Sequence, residues 1–411
     1  MRNRFPIVLG ILALCSGGEI GAQVPTSLPE QAPFTLGKAQ LYPLYTVDLG
    51  WSSNLYYYPD SDDPDLQPIS TALTSIGPGF VLDLPFSESH ARVGYMMVYR
   101  DYTTEAIDAH LDHFFVGEGS FRFSNGIEVG VRDDFKRGVL DAKVFDEGGG
   151  TTFQGDSFQA NDARVSVGHA HEGRRSLEMS VYNHNVRFLE RLSGFFDVDE
   201  NGGDLSGEHE IRPTFRLDWE LAYGRSRLSR PDTPGFPAEE RTEIEESWKL
   251  GGLWLLSQGS ALEFRAGWQR DETESSAPST LSAVTGSLAY RRGVPAGAQF
   301  GVDLARDIYP AIYEDNNVYV TNRLAVTFGN DTRARVSLGG RASYSSNRFP
   351  IPDGQGRIRE DRTLDGEAWI GYRLGRWTLA RLSLRSESRT SSVPGFAYDV
   401  STVEATIGFG S

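Results

Sequence analysis

The side chains of this chain that could do chemistry are mostly charged residues set at every second position. Within residues 91–135, Arg92 and Arg100 are interleaved with Val93, Tyr95, Met97 and Tyr99, and Arg132 and Asp134 with Val131 and Phe135. The same placing recurs at Arg164, Arg212, Arg216, Arg265, Arg335, Arg341, Arg381 and Arg385, with Glu128, Glu263, Asp303, Asp365 and Glu367 on the same predicted face. A surface that carries both signs of charge at this density must face water. Its chemistry is the selection of hydrophilic solutes, the bracing of a wall by ion pairs, or both. Arg92, Arg100, Arg132, Asp134, Arg164, Arg212, Arg216, Arg265, Arg335, Arg341, Arg381 and Arg385 are therefore the expected pore-lining set.

Three other chemistries compete. Asp197, Asp199 and Asn201 precede Gly202, and Glu208 follows after a gap, which matches the spacing of a calcium loop. Against it, no helix is predicted on either side, and Asp204 stands where such a loop packs an apolar residue. A solvated acidic loop is the plainer reading, and no metal is expected. His110 and His113 point to opposite faces of a strand, while His169 and His171 lie at a turn with no cysteine nearby, so neither pair makes a transition-metal site. Serine and histidine are present, but nothing brings them together and no G-x-S-x-G occurs, so no catalytic residues are assigned, no enzyme is expected and no cofactor is implied.

The elements that must position the charged face are β-strands. Strict alternation over about ten residues is the period of a strand with one oily and one wet side. Here the oily side is rich in aromatic residues, and the chain is rich in glycine (45 residues). That pairing suits a transmembrane β-barrel, which meets lipid outside and water inside. A mean hydropathy of -0.37 is compatible with it, because every second strand residue and most loop residues are polar. The expected fold is all-β: a single closed antiparallel barrel of about 18 strands, with 16 as the fallback count. Tight turns expected at 85–90, 124–126, 171–173, 257–259, 329–331 and 375–376 alternate with long loops at 54–67, 141–156, 191–204, 229–241 and 346–360. Short periplasmic turns and long extracellular loops give this rhythm. Pro213 falls inside an expected strand at 209–216, followed by a turn near Asp218, and proline fits a paired strand badly.

Residues 1–22 have the parts of a secretory signal peptide: Arg2 and Arg4, an apolar run from Ile7 to Leu14, and small residues ending at Ala22. Cys15 would leave with it. Residues 23–40 are expected to be a flexible periplasmic leader and 41–411 the barrel. The net charge of -16 argues against nucleic acid as a partner.

The stretch Tyr45-Thr46-Val47-Asp48-Leu49-Gly50-Trp51-Ser52-Ser53-Asn54, the Tyr99-Arg100-Asp101-Tyr102 region and residues 113–134 resemble the type 2 family of beta-barrel porins of the bacterial outer membrane, and the likeness extends over residues 40–411. Gly410-Ser411 departs from the terminal aromatic residue typical of such barrels. The resemblance implies an outer-membrane channel tied to exopolysaccharide secretion. Its partners would be outer-membrane lipid, the barrel-assembly machinery and polysaccharide-export components of the periplasm. The expected function is a porin-like channel with a charged, water-filled lumen passing polysaccharide or another hydrophilic solute. The alternatives are a non-conducting surface scaffold or adhesin and, further off, a lipid-modifying barrel enzyme.

Overall fold

The computed structural model describes residues 34–58, 67–139, 157–171, 175–189, 195–232, 238–257, 259–274, 279–293, 298–310, 318–330, 335–352, 356–393 and 395–409. The expected signal peptide, most of the leader and the loop at 141–156 lie outside them. All the regular structure described is strand. In chain order these are β1 (Phe34–Leu36), β2 (Ala39–Ser52), β3 (Thr71–Phe86), β4 (Ser89–Tyr102), β5 (His110–Arg122), β6 (Ile127–Val139), β7 (Ser157–His171), β8 (Arg175–Phe188), β9 (Asp197–Arg212) and β10 (Phe215–Arg230). The second half adds β11 (Glu239–Ser257), β12 (Ser260–Glu274), β13 (Ser279–Gly293), β14 (Ala298–Pro310), β15 (Val318–Asn330), β16 (Val336–Phe349), β17 (Arg359–Arg373), β18 (Thr378–Ser391) and β19 (Tyr398–Phe409).

From β2 to β19 each strand pairs antiparallel with the next, and β19 closes on β2 in a register running from Phe409↔Tyr45 to Thr402↔Ser52. The result is a closed antiparallel barrel of 18 strands, as the alternation predicts. Closure leaves no long unpaired edge, the condition for strands to sit in hydrocarbon. The extra strand, β1, pairs with β2 at Ala39, Gln40 and Leu41, below the point where β19 stops. It covers the part of β2 that β19 leaves bare. The described end of the expected leader is therefore ordered as a hairpin turned at Gly37 (φ 64°), and the barrel wall begins at Ala39 rather than Leu41.

The connections alternate in length. Those at 87–88, 123–126, 213–214 and 374–377 are short; those at 53–70, 103–109, 231–238 and 350–358 are longer. Gly126 turns one of the short connections with φ 84°, a conformation open to glycine and hard for residues with a Cβ. Two expectations are corrected here. Pro213 is not inside a paired strand: with Thr214 it forms the turn between β9 and β10, where its missing N–H costs no ladder bond, and Asp218 lies inside β10. The expected loop at 191–204 is shorter, because β9 starts at Asp197.

Side-chain exposure separates the two faces of the wall. A convex wall splays side chains apart and a concave one crowds them. On β10 the exposed Trp219, Leu221 and Tyr223 alternate with Asp218, Glu220 and Ala222. Their register partners continue the oily side: Leu205 and Trp248 flank Leu221, and Leu250 faces Trp219. A belt of exposed large hydrophobics thus rings the outside, and at its level the ion pairs lie inside.

The ring strands run from 12 residues in β19 to 19 in β11. Spanning hydrocarbon takes only about 9–11 tilted residues. The surplus lies at the long-loop end, and there the polarity of the wall inverts. Along β8 the outer residues pass from Leu177, Met179 and Val181 to Asn183, Asn185 and Arg187. The inner ones pass from Glu178, Ser180, Tyr182 and His184 to the buried Val186 and Phe188.

Candidate functional site

The candidate site is the inner wall and the mouth at its long-loop end. Along the middle of the wall, opposite charges meet as ion pairs, within one strand or between strands one or two apart. Arg92 meets Glu118 at 2.8 Å, and Arg100 meets Asp112 at 2.7 Å. Arg132 is held by Asp134, and Arg164 by Asp204. Arg216 reaches Glu208 at 2.7 Å, and Arg265 reaches Asp218 at 2.9 Å. On the far side Arg381 pairs with Glu367 at 3.0 Å and Arg385 with Asp365 at 2.7 Å. The register follows from the hydrogen-bonded ladder: inner positions two apart on one strand face inner positions on the next, so an Arg on one strand and an acid on its neighbour meet without special design. Pairs of this kind stiffen the wall and keep it wetted. Singly they add little to stability, because each gives up part of its hydration.

Arg341 also falls on the inner face, opposite Thr327 and Glu367 in register. Two expected pore-lining residues do not. Arg212 ends β9 at the exposed turn by Pro213. Arg335 donates to the hydroxyl of Tyr372 at 2.9 Å and lies over its ring. Tyr372 is one of the exposed outer aromatics, so Arg335 sits at the short-turn rim on the outside. Strand parity fails for both because Arg212 sits where the β9–β10 register shifts and Arg335 stands one residue before β16 begins.

The calcium-loop spacing is also reassigned. Asp197, Asp199, Asn201 and Glu208 all lie in β9, Asp197 paired with β10 and the other three with both β8 and β10, so they cannot curl around a cation. Asp197 accepts from the backbone N–H of Phe188 at 2.9 Å. Asp199 and Asn201 accept from Asn183 on the outer face, and Glu208 takes Arg216 on the inner one.

The mouth was not read from the sequence. Phe158 and Ala160 on β7, Val186 and Phe188 on β8, and Phe195 before β9 form a buried apolar cluster together with Tyr56 and Ile107 from two different loops. The Phe188 and Phe195 rings stack at 5.0 Å. Burying a side chain of this size stabilises by about 1.5–3 kcal/mol, enough to hold loop segments against the wall. The segment 54–58 follows β2 yet reaches this cluster on β7 and β8. On its other side Tyr57 meets Tyr398, at the start of β19, edge to face at 5.1 Å. The segment is thus a crossbar running along a chord of the mouth.

Asn54 fixes that crossbar. Its side chain is 1% exposed; the amide donates to the carbonyls of Tyr58 (2.8 Å) and Asp399 (3.2 Å), and its oxygen accepts from the Tyr58 N–H (3.0 Å). Tyr57 is held at φ 55°, a left-handed conformation that costs a non-glycine residue about 1–3 kcal/mol. The Tyr56 hydroxyl donates to the Ala106 carbonyl at 2.7 Å, tying the crossbar to the 103–109 loop. Burial, reinforced by the neighbouring Tyr58 and Tyr102 phenols, pushes the Tyr56 phenol up to about 12, so it remains a donor at any ordinary pH.

A second aromatic group closes the opposite side of the mouth. The rings of Tyr309, Tyr319 and Phe349 stack in sequence, with Tyr319 and Phe349 at 4.9 Å. The Arg359 guanidinium lies between Phe349 (4.5 Å) and Phe396 (3.5 Å). Asp361 binds both Arg359 and Arg389.

No known protein family and no curated sequence matches the chain. Solved structures do. The apoprotein FrpB iron transporter of Neisseria meningitidis (F5-1 variant) aligns with a TM-score of 0.52 at 9% identity, covering 85% of this chain and 62% of that one. OccK2 of Pseudomonas aeruginosa, solved with glucuronate, aligns with a TM-score of 0.50 at 11% identity, covering 90% and 98%. These neighbours are outer-membrane β-barrel porins and transporters. At such identities the likeness is one of fold, and this chain spans about three fifths of the FrpB chain it matches (62%).

Proposed function

We propose that this chain is a porin-like channel of the bacterial outer membrane, delivered there after cleavage of its signal peptide. Its lumen would pass a hydrophilic solute, with polysaccharide the cargo suggested by the family resemblance. The observation that carries this reading is the division of the wall into an exposed apolar outside and an inside of paired charges, on a barrel large enough for an aqueous interior. The partners we propose are outer-membrane lipid against the belt, the barrel-assembly machinery during insertion and polysaccharide-export components at the periplasmic side. Single-channel recording in planar bilayers tests it. Open steps that scale with salt concentration are expected, and an inserted barrel with no conductance at any voltage or pH refutes it.

The crossbar favours a second reading. The segment 54–58 and Ile107 pack across the mouth, as they would in a closed barrel serving as a surface scaffold. The same recording separates the two, because only the scaffold stays silent once Asn54→Ala has released the crossbar.

A further inference from the structure

Below the crossbar, one stretch of the inner wall is unlike the rest. On β17 and β18 the residues Asp365, Glu367, Trp369, Arg381 and Arg385 form a continuous column that starts under Tyr57. Arg385 is bound by Asp365 at 2.7 Å and Glu387 at 3.1 Å, and lies close enough to Tyr57 for the two to interact electrostatically. One step lower, Arg381 is bound by Glu367 at 3.0 Å, and its guanidinium lies 4.7 Å from the centre of the Trp369 ring. Trp369 is itself laid against the wall. A Cβ added at Gly339 on the next strand would come within 2.2 Å of the indole, so the ring occupies the space a side chain there would take.

The column presents donors and acceptors in fixed planes. The carboxylates are the more buried partners (12% and 14% exposed for Glu367 and Asp365), whereas Arg381 and Arg385 remain 27% and 31% exposed to the lumen. Each guanidinium has several N–H donors in a rigid fork and uses only part of them on its acid. What faces the lumen is therefore a run of N–H edges, carboxylate lone pairs and aromatic surface in which each arginine has its carboxylate and Glu387 leaves one negative charge over. An anion gains little here, because each arginine already has its counterion. A chain of hydroxylated rings gains most: vicinal hydroxyls match the guanidinium and carboxylate forks, and the C–H faces of a pyranose match an indole.

Resting on the channel reading above, we infer that the inner wall of β17 and β18 below Tyr57 is a binding track for a neutral oligosaccharide. The full-length protein in detergent, titrated calorimetrically with maltohexaose and separately with a hexasaccharide of uronic acids, tests this. Maltohexaose binds the wild type, and the uronic acid chain binds more weakly. Trp369→Leu weakens maltohexaose by about tenfold, the worth of one ring contact. Arg381→Lys, which keeps the charge and removes the fork, weakens it by a similar factor. No heat with maltohexaose, tighter binding of the uronic acid chain, or equal affinity in both variants overturns the track. A conducting barrel that does not bind maltohexaose sinks only this inference. A binding barrel that never conducts sinks only the channel reading.

Discussion

The belt and the mouth of this barrel are built from the same strands with opposite polarity. In the belt, β8 turns Leu177, Met179 and Val181 outward and Glu178 and Tyr182 inward. A few residues further on, the same strand turns Asn183 and Asn185 outward and buries Val186 and Phe188. β16 repeats the change, with Leu338 and Tyr344 outside in the belt and Phe349 buried inside at the mouth. Strand geometry cannot cause it, since the alternation never breaks. The cause is the medium: apolar side chains turn outward where hydrocarbon lies outside, and inward where water does. The mouth packs like the core of a globular domain and owes its stability to the hydrophobic effect, whereas the belt needs lipid or detergent.

That contrast can be broken at several points. The largest effect is expected from Phe188→Ala, which empties a ring's volume from the mouth cluster and costs about 3–5 kcal/mol. Hydrogen exchange should rise across 54–58 and 103–109 and stay unchanged in the belt. A belt that loosens equally would mean the two regions are not separate. Next is Leu221→Arg, at the middle of the oily band on β10, which should destabilise folding from urea into lipid vesicles by about 2–4 kcal/mol. Asn183→Arg, on the wet outer band of β8, should change it by less than about 1 kcal/mol in the same assay. Equal costs would place the two residues at the same depth.

Asn54→Ala should cost about 1–3 kcal/mol, because the buried backbone groups of Tyr58 and Asp399 lose their partner. Proteolysis of 54–58 in the folded protein reports it, and the same variant should raise single-channel conductance if the crossbar narrows the mouth. The smallest effect is confined to alkaline pH. The folded pKa of Tyr56 is raised above the ordinary value of 10.0 to about 12, so its contribution is complete below pH 10 and is lost as pH rises through 12. Mouth exchange should therefore accelerate over that interval more in the wild type than in Tyr56→Phe.

How much was legible in the sequence follows from the same contrast. The belt was legible because its alternation is local: Val129, Val131, Glu128 and Arg132 state both faces within five positions of β6. The paired charges at Arg265 and Arg385 followed from that parity. Asp197, Asp199 and Asn201, expected in a solvated acidic loop, lie in a strand, because polar residues at every second position fit a loop and the period of a strand equally. Pairing with β8, far off in the sequence, decides between them. The mouth was missed because Tyr56, Ile107 and Phe158 meet only after the ring has closed. One local signal was available, the change of apolar parity between Val181 and Val186.

The central claim is that lipid surrounds the belt, that water fills it, and that this order reverses at the mouth. Single cysteines placed one at a time along β8 from 177 to 188, in a Cys15→Ser background and reconstituted with a nitroxide-labelled lipid, test it most directly. Fluorophores at 177, 179 and 181 should be quenched by the lipid, while cysteines at 178 and 182 react with a charged thiol reagent. At the mouth, 183 and 185 should react and 186 and 188 should not. Quenching or reactivity that keeps one parity along the whole strand, or shows no parity at all, would contradict the account.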